Sequence, residues 1–379
     1  MIYLDYSATT PVAPEVLESF NKVSRNYLGN PNSIHRLGLD SKELMHQATN
    51  QIAKLLKVKA EELIFTSGAT EANNLAIKGV CAHYQNRGKH IITTELEHSS
   101  VSEVMNYLKT QGYEISYLNV LPDGTIDLKH LKQLLRLDTI LVSIVYVNSE
   151  TGIKQPIEDV GHILKAYPKV LFHVDGTQAV GKIKVDLNNI DLFSFSAHKI
   201  YGLPGIGCLY KQKKIELTNI IHGGQSQSKY RAGTPPLPLI VSFAKALRLS
   251  LVNLDDRYTH VLKLNQTIKK ALEKYPEVVI NSSSEAIPHI LNISILNVKP
   301  ETFMHALEKH HIYLSTQTAC SKFDEPSKTL LAIYKDKKRA LSSIRISLSH
   351  KTTSEEIDFF LKCFDLEYHA LNFMGDLSV

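Results

Sequence analysis

Thr139-Ile-Leu-Val-Ser-Ile-Val-Tyr-Val147 contains the longest apolar run of the chain, Ile140 to Val147. β-Branched residues dominate it and only Ser143 interrupts it, the pattern of a strand buried on both faces. It is far too short to cross a bilayer, which takes ~20 apolar residues. Similar runs lie on either side: Leu63–Thr66, His90–Thr94 and Ile115–Leu118 before it, and Val170–Val174, Leu192–Ser196 and Gly207–Tyr210 after it. Helices are expected between several of them, from Glu71, from Ser99 and from Leu128. Val101, Val104, Met105 and Leu108 fall at helical spacing, as do Val16, Phe20, Val23 and Tyr27 near the start of the chain. Strands buried on both faces and alternating with helices predict an α/β domain with a mostly parallel sheet.

At 379 residues the chain suits two domains. The alternation fades after Gly233-Thr-Pro-Pro-Leu-Pro238. A helix over Tyr258–Tyr275 follows, and then strands (Ile290–Leu296, Ser343–Leu348) mixed with helices (Glu301–His310, Thr353–Tyr368). The expected division is a large α/β domain over 15–255 and a smaller α+β domain over 256–379, joined by the N-terminal tip 1–14, whose opening reads as a strand carrying an acid.

Hydrophobic residues make up 43% and charged residues 21%, the balance of a soluble globular protein, and the net charge of +5 is spread along the chain. Four cysteines, with no CxxC pair and no histidine at ligand spacing, predict no metal site. Few cysteines and no secretory signal predict the cytoplasm, with no membrane and no direct nucleic-acid contact.

Four segments carry candidate chemistry. Phe65-Thr-Ser-Gly-Ala69-Thr70-Glu71 is a strand ending in a small-residue loop that opens a helix, suited either to an anion or to simple capping. His173-Val-Asp175-Gly-Thr-Gln178 sets an acid at a buried strand end. The acid needs a cationic partner, such as a protonated pyridine ring, or serves as an N-cap. In Phe193-Ser-Phe-Ser196-Ala-His198-Lys199 a lysine leaves a buried strand beside a histidine. A Schiff base to a carbonyl cofactor explains that position, with Ser196 and His198 alternating on one strand face as phosphate ligands. Cys320 lies in the polar stretch Ser315-Thr-Gln-Thr-Ala-Cys-Ser-Lys322, where exposure and a nearby lysine favour a thiolate. Cys81, Cys208 and Cys363 sit among apolar residues and read as small buried hydrophobes.

Together these segments resemble the cysteine desulfurases of the class V aminotransferase superfamily, which are fold-type I pyridoxal 5'-phosphate (PLP) enzymes, and in particular their housekeeping group. The likeness spans nearly the whole chain and includes Tyr3-Leu-Asp-Tyr-Ser-Ala-Thr-Thr-Pro11, Gly29-Asn-Pro-Asn-Ser33, Glu97-His98, Val147-Asn148, His222-Gly-Gly224, Arg231-Ala-Gly-Thr234 and Ser342-Ser-Ile-Arg345. It implies a large domain with a mostly parallel seven-stranded sheet, a homodimer, L-cysteine as substrate, and a protein acceptor serving iron–sulfur cluster assembly or tRNA thiolation. It also implies that Lys199 carries the cofactor and moves the Cα proton. Asp175 would pair with the pyridine nitrogen, His98 stack on the ring and Gln178 bond the phenolate oxygen. Thr70, Ser196 and His198, with Ala69 beside them, would hold the phosphate, and Thr234 would reach in from the second subunit. Arg345 would clamp the substrate carboxylate, Asn148 would orient substrate and cofactor, and Cys320 would accept the sulfur as a persulfide.

Three departures stand out. Gln317 and Thr318 replace the usual Gly and Ser before Cys320, stiffening that loop. Ala197 replaces the usual Gly before His198-Lys199. The chain ends soon after the helix read to Tyr368, which points to a dedicated thiolation acceptor. An aminotransferase would have no use for Cys320, a selenocysteine lyase would use the same parts, and a non-catalytic scaffold would predict loss of Lys199, Asp175 or Arg345, all of which are present.

Overall fold

The structure is a computed structural model that describes residues 1–224, 226–316 and 325–375, with side chains followed to residue 371. Its strands are β1 (Ile2–Tyr3), β2 (Leu63–Thr66), β3 (His90–Thr93), β4 (Glu114–Tyr117), β5 (Thr139–Val145), β6 (Leu171–Asp175), β7 (Leu192–Ser196), β8 (Gly207–Lys211), β9 (Val278–Ile280), β10 (Ile290–Ile295), β11 (Ile312–Tyr313) and β12 (Ser343–Ser347). Seven of them form one sheet in the order β2-β8-β7-β6-β5-β3-β4. The pairs from β7 through β4 are parallel, while β8 runs antiparallel to both of its neighbours.

Every residue of β5, β6, β7 and β8 is buried, whereas the edge strand β4 is partly exposed. Their alternate side chains feed two separate cores. Ile92, Val142, Phe172 and Phe193 pack with the helices Arg36–Leu56 and Leu237–Leu251 on one face. Ile91, Leu141, Leu171 and Leu192 pack with the helices Ala69–Tyr84 and Ser99–Thr110 on the other. Strand order reverses between β3 and β5, and at such a point the loops leaving the carboxyl ends of the strands part and open a crevice.

A third core surrounds the antiparallel sheet β12-β10-β9, covered by the helices Leu254–Leu272, Pro300–Glu308 and Ser354–Gly375. Ile2 and Leu4 from the start of the chain belong to this core, and β1 pairs in parallel with β11. Ser347 N–H then donates to the Leu4 carbonyl at 2.7 Å. The chain beyond Leu4 crosses to the large sheet, so both bodies share one N-terminal strap.

Several boundaries differ from the sequence expectation. β5 ends at Val145, because Val147 leaves the sheet to bridge Lys154. The helix expected from Tyr258 starts at Leu254, and the last one continues past Tyr368 to Gly375. Among the described residues no single helix is long and apolar enough to cross a membrane. One bent pair, Leu237–Leu251 with Leu254–Leu272, meets the length and composition criteria, but Phe243, Leu247, Val261 and Ile268 of that pair are buried in the two cores.

Leu4 is fully buried, so Leu4→Ala should cost ~2–5 kcal/mol of unfolding free energy in urea titration. Leu137→Ala, at a fully exposed position, should stay within about 0.5 kcal/mol of wild type.

Candidate active site

The carboxyl ends of β5, β6 and β7 open into a cavity of about 400 Å³. β7 ends at Ser196, and Ala197–Lys199 form a 3-10 turn. Ser196 and His198 therefore do not share a strand face as expected, although both line the cavity. Ala197 points the other way, into the core. The turn aims Lys199 Nζ at the N-terminal strap, where it donates to the Ser7 carbonyl at 2.5 Å and to that of Ala8 at 2.6 Å. Thr10 fixes the strap, its N–H and its hydroxyl both donating to the His198 carbonyl at 2.9 Å.

Asp175 is the last residue of β6 and is buried. One carboxylate oxygen accepts from Asn73 Nδ2 at 2.8 Å. The other accepts from the Thr177 N–H at 3.0 Å and from its hydroxyl at 2.5 Å. The capping reading thus holds for one oxygen, in a turn rather than a helix. The turn needs Gly176, since a Cβ there would lie 1.8 Å from the Phe193 ring. Gln178, next along, donates from Nε2 to the Ser7 carbonyl at 3.0 Å and accepts at Oε1 from Lys182 at 2.9 Å.

His98 caps the helix Ser99–Thr110, with Nδ1 accepting from the Ser100 N–H at 3.1 Å. A neutral ring holding that bond carries its proton on Nε2. Burial pushes this imidazole below its usual range, with Asp175 acting the other way and Lys199 adding to the fall. His198 is pushed down to about 4 by burial and by the cations of Lys199 and Lys182. Glu97, beside His98, is pushed up to about 8 by burial, and Asp175 adds to the rise.

Ala69 and Thr70 open a helix over the far end of the cavity. A Cβ on Gly68 would find no atom closer than Ser196 Oγ at 3.9 Å, so the glycine leaves that space open. Glu71 holds the loop by accepting from the Ser67 N–H at 2.7 Å and pairing with Arg231 at 2.9 Å. Thr234, three residues beyond Arg231, is exposed and does not line the cavity of its own chain.

Arg345 enters the cavity from β12. Its guanidinium pairs with Asp5 at 2.8 Å and donates to the Ser149 carbonyl at 3.1 Å, while its buried Nε has no hydrogen-bond partner among the described residues. Asn148 lies beside the cavity rather than among the residues that line it. Its amide is used within the protein, donating to the Leu96 carbonyl and accepting from Glu150, Thr151 and the Thr151 hydroxyl, and it presents Val147 and Ser149 to the cavity instead. Cys320, Gln317 and Thr318 lie outside the described residues. The chain on either side of them is anchored beside the site. Ser315 exchanges backbone hydrogen bonds with Arg345, and Ser327 donates to the buried Glu150 carboxylate at 2.5 Å. Cys81, Cys208 and Cys363 are free and buried.

Sequence reading missed Asn73, Thr177, Lys182 and the partnership of Asp5 with Arg345. None has a local signal, because each acts through a partner distant in sequence or on a turn whose path the sequence does not announce. As a donor set the cavity fits PLP: an amine, a buried carboxylate, a neutral imidazole and a small-residue loop at a helix N-terminus. The Arg345 guanidinium at the cavity wall fits a substrate carboxylate.

Residues 2–360 match the family model of class-V aminotransferases. The cysteine desulfurase IscS of Buchnera aphidicola from Acyrthosiphon pisum (strain 5A) is 41% identical over an alignment covering 99% of this chain and 95% of that protein. A solved NifS-like protein superposes with a TM-score of 0.92 at 36% identity, covering 98% of this chain and 99% of that one. A structure described as SspA in complex with cysteine gives a TM-score of 0.82 at 31% identity, over 93% of this chain and all of that one. The chain belongs to the class-V aminotransferase family and, within it, is a PLP-dependent cysteine desulfurase.

Proposed function

We propose that Arg345 holds the carboxylate of L-cysteine, that Lys199 bonds the cofactor covalently and moves the substrate's Cα proton, and that Cys320 takes the sulfur. One observation carries this reading: Lys199, Asp175 and His98 converge on a cavity that the Arg345 side chain also lines. When bound, PLP supplies an electron sink beside the substrate α-carbon. Asp175 would hold a proton at the ring nitrogen, His98 would stack on the ring, and Gln178 Nε2 would donate to the ring oxygen. Thr70, Ser196, His198 and the Ala69 backbone would hold the phosphate. Cys320 Sγ attacks the substrate sulfur. A sulfur–sulfur bond forms as the Cβ–S bond breaks, the electron pair stays with Cβ, and Cβ gains a proton as alanine leaves. A thiol of a protein acceptor, serving iron–sulfur cluster assembly or tRNA thiolation, then attacks the outer sulfur.

The solved relative described as a complex with cysteine supports this choice of substrate. The burial of the three other cysteines supports Cys320 as the nucleophile, since desolvation pushes the Cys81 thiol up to about 12 and raises those of Cys208 and Cys363. It also suits a reducing cytoplasm. The separate cores support a large domain over 15–255 and a small one over 1–14 with 256–379. The exposure of Thr234 supports a homodimer in which it completes the neighbour's phosphate site.

Cys320→Ser should still bind L-cysteine but should release neither alanine nor sulfide above background when both are assayed beside wild type. Persistent desulfuration would move the sulfur chemistry elsewhere, and turnover of selenocysteine by the variant would mark a lyase preference. Native mass spectrometry should find a dimer, and Thr234→Ala should weaken PLP binding about tenfold, a loss of roughly 1.4 kcal/mol. A monomer with full PLP affinity would contradict the shared site.

A further inference from the structure

Lys182 is a buried lysine that the reading above leaves without a task. Gly181, at φ +72°, reverses the chain so that Lys182 comes back against Gln178. A side chain at position 181 would meet Ile200 and Ser250 at 2.9 Å, so the reversal depends on glycine. The Lys182 amine donates to Gln178 Oε1 at 2.9 Å, and the other end of the same amide donates to the Ser7 carbonyl that also receives Lys199. A primary amide has two faces that differ only in which atom they present. Lys182 is a donor with no acceptor role while it is protonated, so it fixes Oε1 on its own side and leaves Nε2 on the cavity side.

We propose that Lys182 is a positioning residue, holding the Gln178 amide so that its Nε2 donor is offered to the cavity. This rests on the reading that Gln178 Nε2 serves the ring oxygen of PLP. Burial, with Lys199 adding to it, pushes the Lys182 amine down to about 7. The titratable groups that face it, Lys199, His198 and His289, are all bases, and burial pushes His289 down to about 3. Lowering of a folded-state amine pKa means that the unfolded chain binds more protons, so this lysine costs stability below its unfolded pKa, most fully below pH ~7. An apolar residue would be more stable there, and the hydrogen bond to Gln178 is what the lysine contributes in exchange.

The test uses holoenzyme and reads the pH midpoint at which the visible band of bound PLP changes. An amide donor stabilises the negative ring oxygen most after the proton beside it has left, so losing the donor raises this midpoint. Gln178→Leu and Lys182→Met should each raise it by about one unit. The double variant should move no further than Gln178→Leu alone, because Lys182 acts through that amide. Additive shifts would show that Lys182 acts as a bare charge and would overturn the proposal. An unmoved midpoint in Lys182→Met beside a moved one in Gln178→Leu would also overturn it while leaving the Gln178 reading intact. No shift in Gln178→Leu would remove both. Lys182→Met should fold, with a Tm gain larger at pH 6 than at pH 9. A Tm loss at both would show that the lysine supports the fold itself and would count against the proposal.

Discussion

The contact on which the site depends is the clamp of the Lys199 amine between the backbone carbonyls of Ser7 and Ala8. Those carbonyls belong to the strap that leaves the small core at Leu4 and reaches the large sheet. Asp5 of the same strap takes the Arg345 guanidinium, Ser7 takes the Gln178 amide, and Thr10 takes the His198 carbonyl. A few residues, turned between Asp5 and Ala8, thus collect groups from beyond the ends of β6 and β7 and from β12 around one cavity. Backbone carbonyls suit this task, because an amine in a poorly solvated place needs acceptors and a carbonyl provides them without adding a second charge.

The electrostatics follow from where each charge is partnered. Asp175 keeps its carboxylate among the Asn73 amide and the Thr177 N–H and hydroxyl. These neutral donors leave a buried anion suited to a cationic partner. Arg345 is the converse, a buried cation paired with the Asp5 carboxylate. The two histidines are held neutral by burial, so they contribute shape and single donors rather than charge. Lys182 and Glu97 extend this arrangement outward, each discouraged by desolvation from carrying its charge.

The large sheet was readable because its strands are buried on both faces, which writes apolar runs such as Ile140–Val145 directly into the sequence. Asp175 and Lys199 were readable as well, each lying where such a run stops. Strand β1 is legible at the opening of the chain, whereas β11 is not, since a two-residue element carries no period, and the pairing of the two is set by the small core into which Ile2 packs. Helix Arg36–Leu56 is harder to read in its first half, where the buried Gly38, Ser41 and Ala48 are small or polar, than toward its end, where Ile52 and Ala53 are buried. Asn73 shows the limit most clearly. It sits inside a helix like any polar residue, and its bond to Asp175 joins positions 102 apart in sequence.

The account stands on Lys199 as the residue that bonds PLP, although another lysine, the buried Lys182, lies close enough to perturb the same histidine. Borohydride reduction of the purified holoenzyme followed by peptide mapping separates the two. The cofactor adduct should be found on the peptide carrying Lys199 and should disappear in Lys199→Ala. An adduct on Lys182, or one that survives in Lys199→Ala, would contradict the account.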